Sequence, residues 1–108
     1  MSAEITPAVL DILRLHGWRT LHIRPARTEK GWRSPLSGDG VGWPDIFAVR
    51  GHTALAIECK GETGYLSPEQ RVWRDALNVA GIGFMLLRPK DIQGLPDRLR
   101  ELSREGKA

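Results

Sequence analysis

Two short apolar runs, DIFAVR at 45–50 and TALAIECK at 53–60, are separated only by Gly51 and His52. Both are too short for helices, and a two-residue spacer containing glycine joins strands that lie side by side, so an antiparallel hairpin is expected. This pair fixes most of what the chain can become, because its charges stand where strand ends usually carry none. Asp45 opens the first run, and the second ends in Glu58, Cys59 and Lys60. Side chains alternate across a strand, which puts Glu58 and Lys60 on one face behind Ala54 and Ala56, and Leu55, Ile57 and Cys59 on the other. The alanines leave room beside the charges, whereas Leu55 and Ile57 supply core.

A hairpin folds Asp45 back toward Glu58. Two carboxylates held a few ångströms apart repel, so one takes a proton or a divalent ion neutralises both. Magnesium suits such a pair, because it accepts one or two carboxylates and keeps waters that phosphate oxygens replace. It would polarise a phosphodiester and acidify a bound water, with Lys60 beside it to stabilise developing negative charge or help position that water. Read more plainly, Asp45 ends a loop and Glu58 with Lys60 forms an edge-strand ion pair of little energetic consequence.

The rest of the chain supplies the frame. TPAVLDILRLHG reads as a helix with Thr6 as N-cap, Pro7 in the first turn and Gly17 as stop. WRTLHIRP alternates as a first strand, with Trp18, Thr20 and His22 on one side and Leu21 and Ile23 on the other. From Ala26 to Gly42 no apolar period appears, and a long connection is expected. Ser67 caps a second helix whose stripe is Val72, Trp73, Ala76, Leu77 and Ala80, ended by Gly81. IGFMLLRP reads as a buried strand and LPDRLRELSRE as a short charged final helix. The expected class is α/β, with one small mixed sheet flanked by helices and a single domain over 1–108.

Twelve of the sixteen basic residues are arginine, and between Arg14 and Arg33 six basic residues face one acid, Glu29. That stripe suits a phosphate backbone, with Arg24, Arg27, Lys30 and Arg33 as contacts and Trp32 able to stack on a base. The plain alternative is a solvated basic surface. His16, His22 and His52 show no ligand spacing, and the lone Cys59 supports neither an intrachain disulfide nor a cysteine-rich zinc cluster. No apolar run reaches the ~18 residues of a membrane span, and MSAEITPAVL lacks the order of a signal peptide; a cytoplasmic protein with no membrane partner is expected.

These residues resemble the PD-(D/E)XK nuclease superfamily, with Pro44-Asp45 as its first half and Glu58-Cys59-Lys60 as its second. The pattern is closer to the virus-type replication-repair nuclease branch, VRR-NUC, through Gly42-Trp43-Pro44-Asp45, Glu58-Cys59-Lys60 and Ser67-Pro68-Glu69-Gln70. The resemblance implies a restriction-endonuclease-like αβββαβ core and Mg²⁺, or Mn²⁺ in its place. It also implies metal ligation by Asp45, Glu58 and the Cys59 backbone carbonyl, a catalytic Lys60, and Gln70 orienting water or phosphate. Gln70 has a plainer reading as the far half of a capping box. A first-helix acid, Glu4 or else Asp11, would join the metal site. The implied activity is cleavage of branched, flap or four-way junction DNA by a homodimer. The alternatives are a non-catalytic nucleic-acid-binding module and a nuclease-fold subunit of a larger assembly.

Overall fold

The structure is a computed structural model that describes residues 5–23, 26–28, 31–33 and 38–105, with the side chains of 26–28, 31–33 and 103–105 outside the description. The first helix, α1, is Thr6–Leu15, followed by β1 at Arg19–His22 and two short strands, β2 at Ala26–Thr28 and β3 at Gly31–Arg33. The hairpin strands are β4, Ile46–Arg50, and β5, Thr53–Cys59; then come α2, Pro68–Val79, and β6, Gly83–Leu87. A 3-10 turn at Pro89–Asp91 leads into α3, Leu95–Glu105. Among the described residues no helix is long and apolar enough to cross a membrane.

Four strands form one mixed sheet in the order β1-β4-β5-β6. β4 pairs antiparallel with both β1 and β5, and β6 lies parallel to β5. A parallel neighbour cannot be reached by a tight turn, so the chain crosses over between β5 and β6 through α2. The expected α/β class with a small mixed sheet and flanking helices is therefore what the chain adopts.

Register decides the faces. Ile46 opposes Ile57, Ala48 opposes Leu55, and Ile57 and Cys59 stand beside Met85 and Leu87 on β6. These side chains form one buried cluster with Val9 and Leu13 of α1 and Leu95 and Leu99 of α3, so both helices cover this face. Full burial of each such aliphatic side chain stabilises by roughly 1.5–3 kcal/mol. The opposite face carries Glu58, Ala56, Phe47, Val49 and Leu21 by the same alternation. α2 packs on this face mainly over β6 and reaches β5 through Gln70.

Three local expectations are corrected. Thr6 is not the N-cap: Ile5 holds that position without a side-chain bond, and Thr6 is buried in the first turn. The connection from Ala26 to Gly42 is not wholly irregular, since β2 and β3 pair as a small ribbon with Arg27 opposite Trp32. Strands of three residues are too short to show a period, which is why the pattern missed them. The stripe on α2 is narrower than expected: Leu77 is buried and Trp73 half-buried, but Val72 and Ala76 are exposed. A helix seated on one edge of a small sheet has only half its circumference to bury.

The start of β1 depends on the end of α1. Gly17 takes a φ of +86°, and the amides of Gly17 and Trp18 close back on the carbonyls of Arg14 and Leu13 at 3.1 and 2.9 Å. This is a Schellman stop, which reverses the chain and drops Trp18 into the core at 3% exposure.

Leu99→Ala, at a fully buried site, is expected to cost about 2–5 kcal/mol, whereas Val72→Ala on the outer side of α2 stays within about 0.5 kcal/mol. Urea unfolding of the two variants measures the contrast.

Candidate active site

Asp45 sits one residue before β4, where three strands hold it. Its carbonyl accepts the Ile23 amide at 3.3 Å, extending the β1–β4 ladder, and its Oδ2 accepts the Cys59 amide of β5 at 2.8 Å. The carboxylate is thus fastened to the strand that carries Glu58. Glu58 is buried, at 4% exposure, and its carboxyl is hydrogen-bonded to that of Asp45. The two acids that the hairpin register was expected to bring together do meet.

Two donors converge on Glu58 Oε2: Gln70 Nε2 at 3.0 Å and Lys60 Nζ at 3.8 Å. Ser67 caps α2 by accepting the Gln70 amide at 3.1 Å, while its own amide donates to Gln70 Oε1 at 2.8 Å. Only the amide oxygen can accept from the Ser67 N–H, so the nitrogen must face Glu58. The capping reading and the site reading of Gln70 hold at once. With both ends engaged, Gln70 positions Glu58.

Burial is the largest cause lifting the Glu58 carboxyl from 4.5 to about 8, the negative charge of Asp45 is next, and Lys60 pulls the other way. With both carboxyls ionised the pocket would hold one negative charge more than its ammonium neutralises, an excess that a proton on Glu58 or a cation removes. The donor set, two carboxyls with hard oxygens in a buried setting, fits a divalent cation of the magnesium class. Among the described residues no group of three or more His, Cys, Asp or Glu side chains gathers into a richer metal site. Burial pushes the Cys59 thiol up to about 12, so it is inert as a nucleophile. Thr6 hydrogen-bonds that sulfur from α1.

Structure around the site explains why loops this short hold it. Gly42, at φ +88°, lies against the first turn of α2, where an added Cβ would come within 2.6 Å of the Glu69 backbone carbon. Trp73 of α2 donates from Nε1 to the Asp39 carbonyl at 2.9 Å, and the Trp43 ring meets Trp73 edge-on at 4.9 Å. Glycine, indole and ring contact together dock the segment leading to Asp45 onto the helix that carries Gln70. On the other side Arg88 donates from Nη1 to Gly61 O at 2.8 Å and from Nη2 to Gly64 O at 2.6 Å. Gly64 in turn lies on the stem of Lys60, where a Cβ would stand 3.3 Å from Cδ.

Arg88 was missed by sequence reading, because its partners lie more than twenty residues away and an arginine after a strand has no local signature. Glu4, Arg24 and Lys30 fall outside the described residues, as do the side chains of Arg27, Trp32 and Arg33. Asp11 is exposed on α1 and is not among the groups acting on Glu58.

Because Glu58 binds its proton more tightly folded than unfolded, its contribution to the stability of metal-free protein is full below about 4.5 and is lost as pH rises through about 8. In chelator, the melting temperature of the wild type is expected to fall more steeply between about pH 5 and 9 than that of Glu58→Gln, with magnesium reducing the difference. Thermal melts across that range decide it. Arg88→Met leaves the Gly61 and Gly64 carbonyls without their donor and is expected to speed amide hydrogen exchange across 61–66. Exchange measured by mass spectrometry on that peptide checks it.

No protein-family model, no curated protein and no solved structure matches the chain.

Proposed function

We propose that this chain is a divalent-metal-dependent endonuclease that hydrolyses phosphodiester bonds of DNA, built on a restriction-endonuclease-like αβββαβ core. One observation carries the reading: Asp45 and Glu58 are held against each other in a buried pocket with Lys60 3.8 Å from Glu58. Such a pair is costly to keep unless a cation or a proton occupies it. A non-catalytic binder of phosphate would gain nothing from it, since two carboxylates repel the backbone they are meant to hold.

In this reading Asp45 and Glu58, with the neighbouring Cys59 carbonyl, hold Mg²⁺ or Mn²⁺. The bound ion supplies Lewis acidity toward a phosphate oxygen and lowers the pKa of a water. Lys60 offers its ammonium to the negative charge that builds on the phosphoryl oxygens. Gln70 keeps Glu58 turned into the pocket through the 3.0 Å bond to Oε2. The Cys59 amide does the same for Asp45 at 2.8 Å. A preference for branched, flap or junction DNA and the pairing of two chains extend the proposal on the strength of the VRR-NUC resemblance.

A panel of duplex, single-stranded, flap and four-way substrates tests the activity with Mg²⁺, with Mn²⁺ and with chelator. Lys60→Ala is expected to cut about 10²-fold or more slowly while still binding DNA, as removal of a charge-stabilising donor does elsewhere. Cleavage by Lys60→Ala at the wild-type rate, or undiminished cleavage in chelator, would falsify the proposal.

A further inference from the structure

The stretch that joins β5 to α2, Gly61 to Leu66, belongs to no helix or strand, yet arginine side chains hold three of its carbonyls. Arg71 of α2 donates to Leu66 O at 2.8 Å, an exposed bond to a residue beside its own helix cap. Arg88, just past β6, reaches across to a different part of the chain, and its bonds to Gly61 O at 2.8 Å and Gly64 O at 2.6 Å are partly buried. Arg88 is itself held, because its amide donates to Asp91 Oδ2 at 2.8 Å. Two glycines give the stretch more backbone freedom than other residues would, and the arginine fork removes it.

The side chain that gains from this is Lys60. Its ammonium stands 3.8 Å from Glu58 Oε2, too far for a hydrogen bond, and the same oxygen already accepts Gln70 at 3.0 Å. The acid attracts the ammonium without fixing where it stands. The flexible stem lies against Gly64 instead, where an added Cβ would be 3.3 Å from Lys60 Cδ and 3.7 Å from its Cβ, and the side chain is only 14% exposed. Its backbone is fixed from the same place, since the Lys60 amide donates to Leu87 O at 2.9 Å. Leu86 stands beside Glu58 in the register, and Arg88, two residues on, falls on the same face. Leu87 thus holds the backbone of Lys60, and Arg88, through Gly64, holds its stem.

We propose that Arg88 is a positioning residue for the reaction: by pinning Gly61 and Gly64 it keeps the loop against the Lys60 stem and so sets where the ammonium stands beside the carboxyl pair. The inference rests on the nuclease reading and adds to it the residue on which the lysine depends. Without the fork the loop relaxes, the stem gains conformations, and the ammonium spends less time where charge builds on the phosphate. A misplacement on the order of 1 Å at a reacting group slows a reaction by up to about 10²-fold.

Single-turnover cleavage with Mg²⁺, together with affinity for DNA in chelator, tests it. Arg88→Lys keeps the charge but not the fork, and is expected to cut on the order of 10-fold more slowly while its affinity stays within about 2-fold of wild type. Arg88→Met is expected to be slower still, to speed acylation of Lys60 several-fold as read by mass spectrometry in chelator, and to change nothing further in a Lys60→Ala background. An arginine that only stabilises the fold would slow Lys60→Ala by the same factor and leave Lys60 labelling as it was. Either of those results overturns the assignment, as does cleavage at the wild-type rate by both Arg88 variants, and in each case the nuclease reading stands. If wild type cuts no DNA with Mg²⁺ or Mn²⁺, the nuclease reading falls, and the labelling alone decides whether Arg88 holds the lysine. Should Arg88→Met fail to fold, Arg88→Lys and its combination with Lys60→Ala carry the same comparisons.

Discussion

Everything at the candidate site follows from two acids held against each other, with Glu58 out of water. A fold selected for stability alone would let Asp45 and Glu58 part, or would turn one to solvent. Here the Cys59 amide fastens Asp45 to β5, the β1 ladder fastens its carbonyl, and Gln70 fastens Glu58 from α2. Four elements thus hold one electrostatic conflict in place. The conflict is felt in the metal-free protein, where burial and the charge of Asp45 push the Glu58 carboxyl up to about 8. Local violations of what a core prefers are where function is to be sought.

Helix initiation and site geometry are the same event in α2. The capping box that satisfies the amides of Ser67 and Gln70 also fixes the orientation of the Gln70 carboxamide, and so decides that a donor faces Glu58. A glutamate at that position could complete the box equally well but would add a third negative charge beside the pair. Arg88 plays the matching part on the other flank, binding two carbonyls of the loop that packs on the stem of Lys60. Short glycine-containing loops otherwise hold side chains poorly, and here cross-links to α2 and β6 make them part of the frame.

What could be read from the sequence was local. Asp45, Glu58 and Lys60 stood out because strand alternation operates over two residues, and Gln70 because a capping box spans three. The α/β order emerged from the same short-range signals. The rest depends on distant partners. Trp43 meeting Trp73, Gly42 seated on Glu69 and Arg88 reaching Gly61 are contacts whose partners sequence spacing does not name. The β2–β3 ribbon was hidden for another reason, since three-residue strands bearing arginine and tryptophan carry no period. The outer stripe of α2 looked buried because periodicity reports an apolar arc and not the width of the sheet that covers it.

That width has a consequence for charge. To reach its parallel place beside β5, the chain carries α2 over the β6 side of the sheet, and on the β1–β4 side of the Glu58 face Leu21 and Val49 stay exposed. At the carboxyls only Lys60, a proton or a cation acts. One ammonium can balance only one of the two acids, so ionising both leaves the pair short by one charge, and a phosphate arriving there would deepen the shortfall. Under the proposed function a divalent cation would meet both demands in a single step, taking the place of the Glu58 proton and offsetting the phosphate.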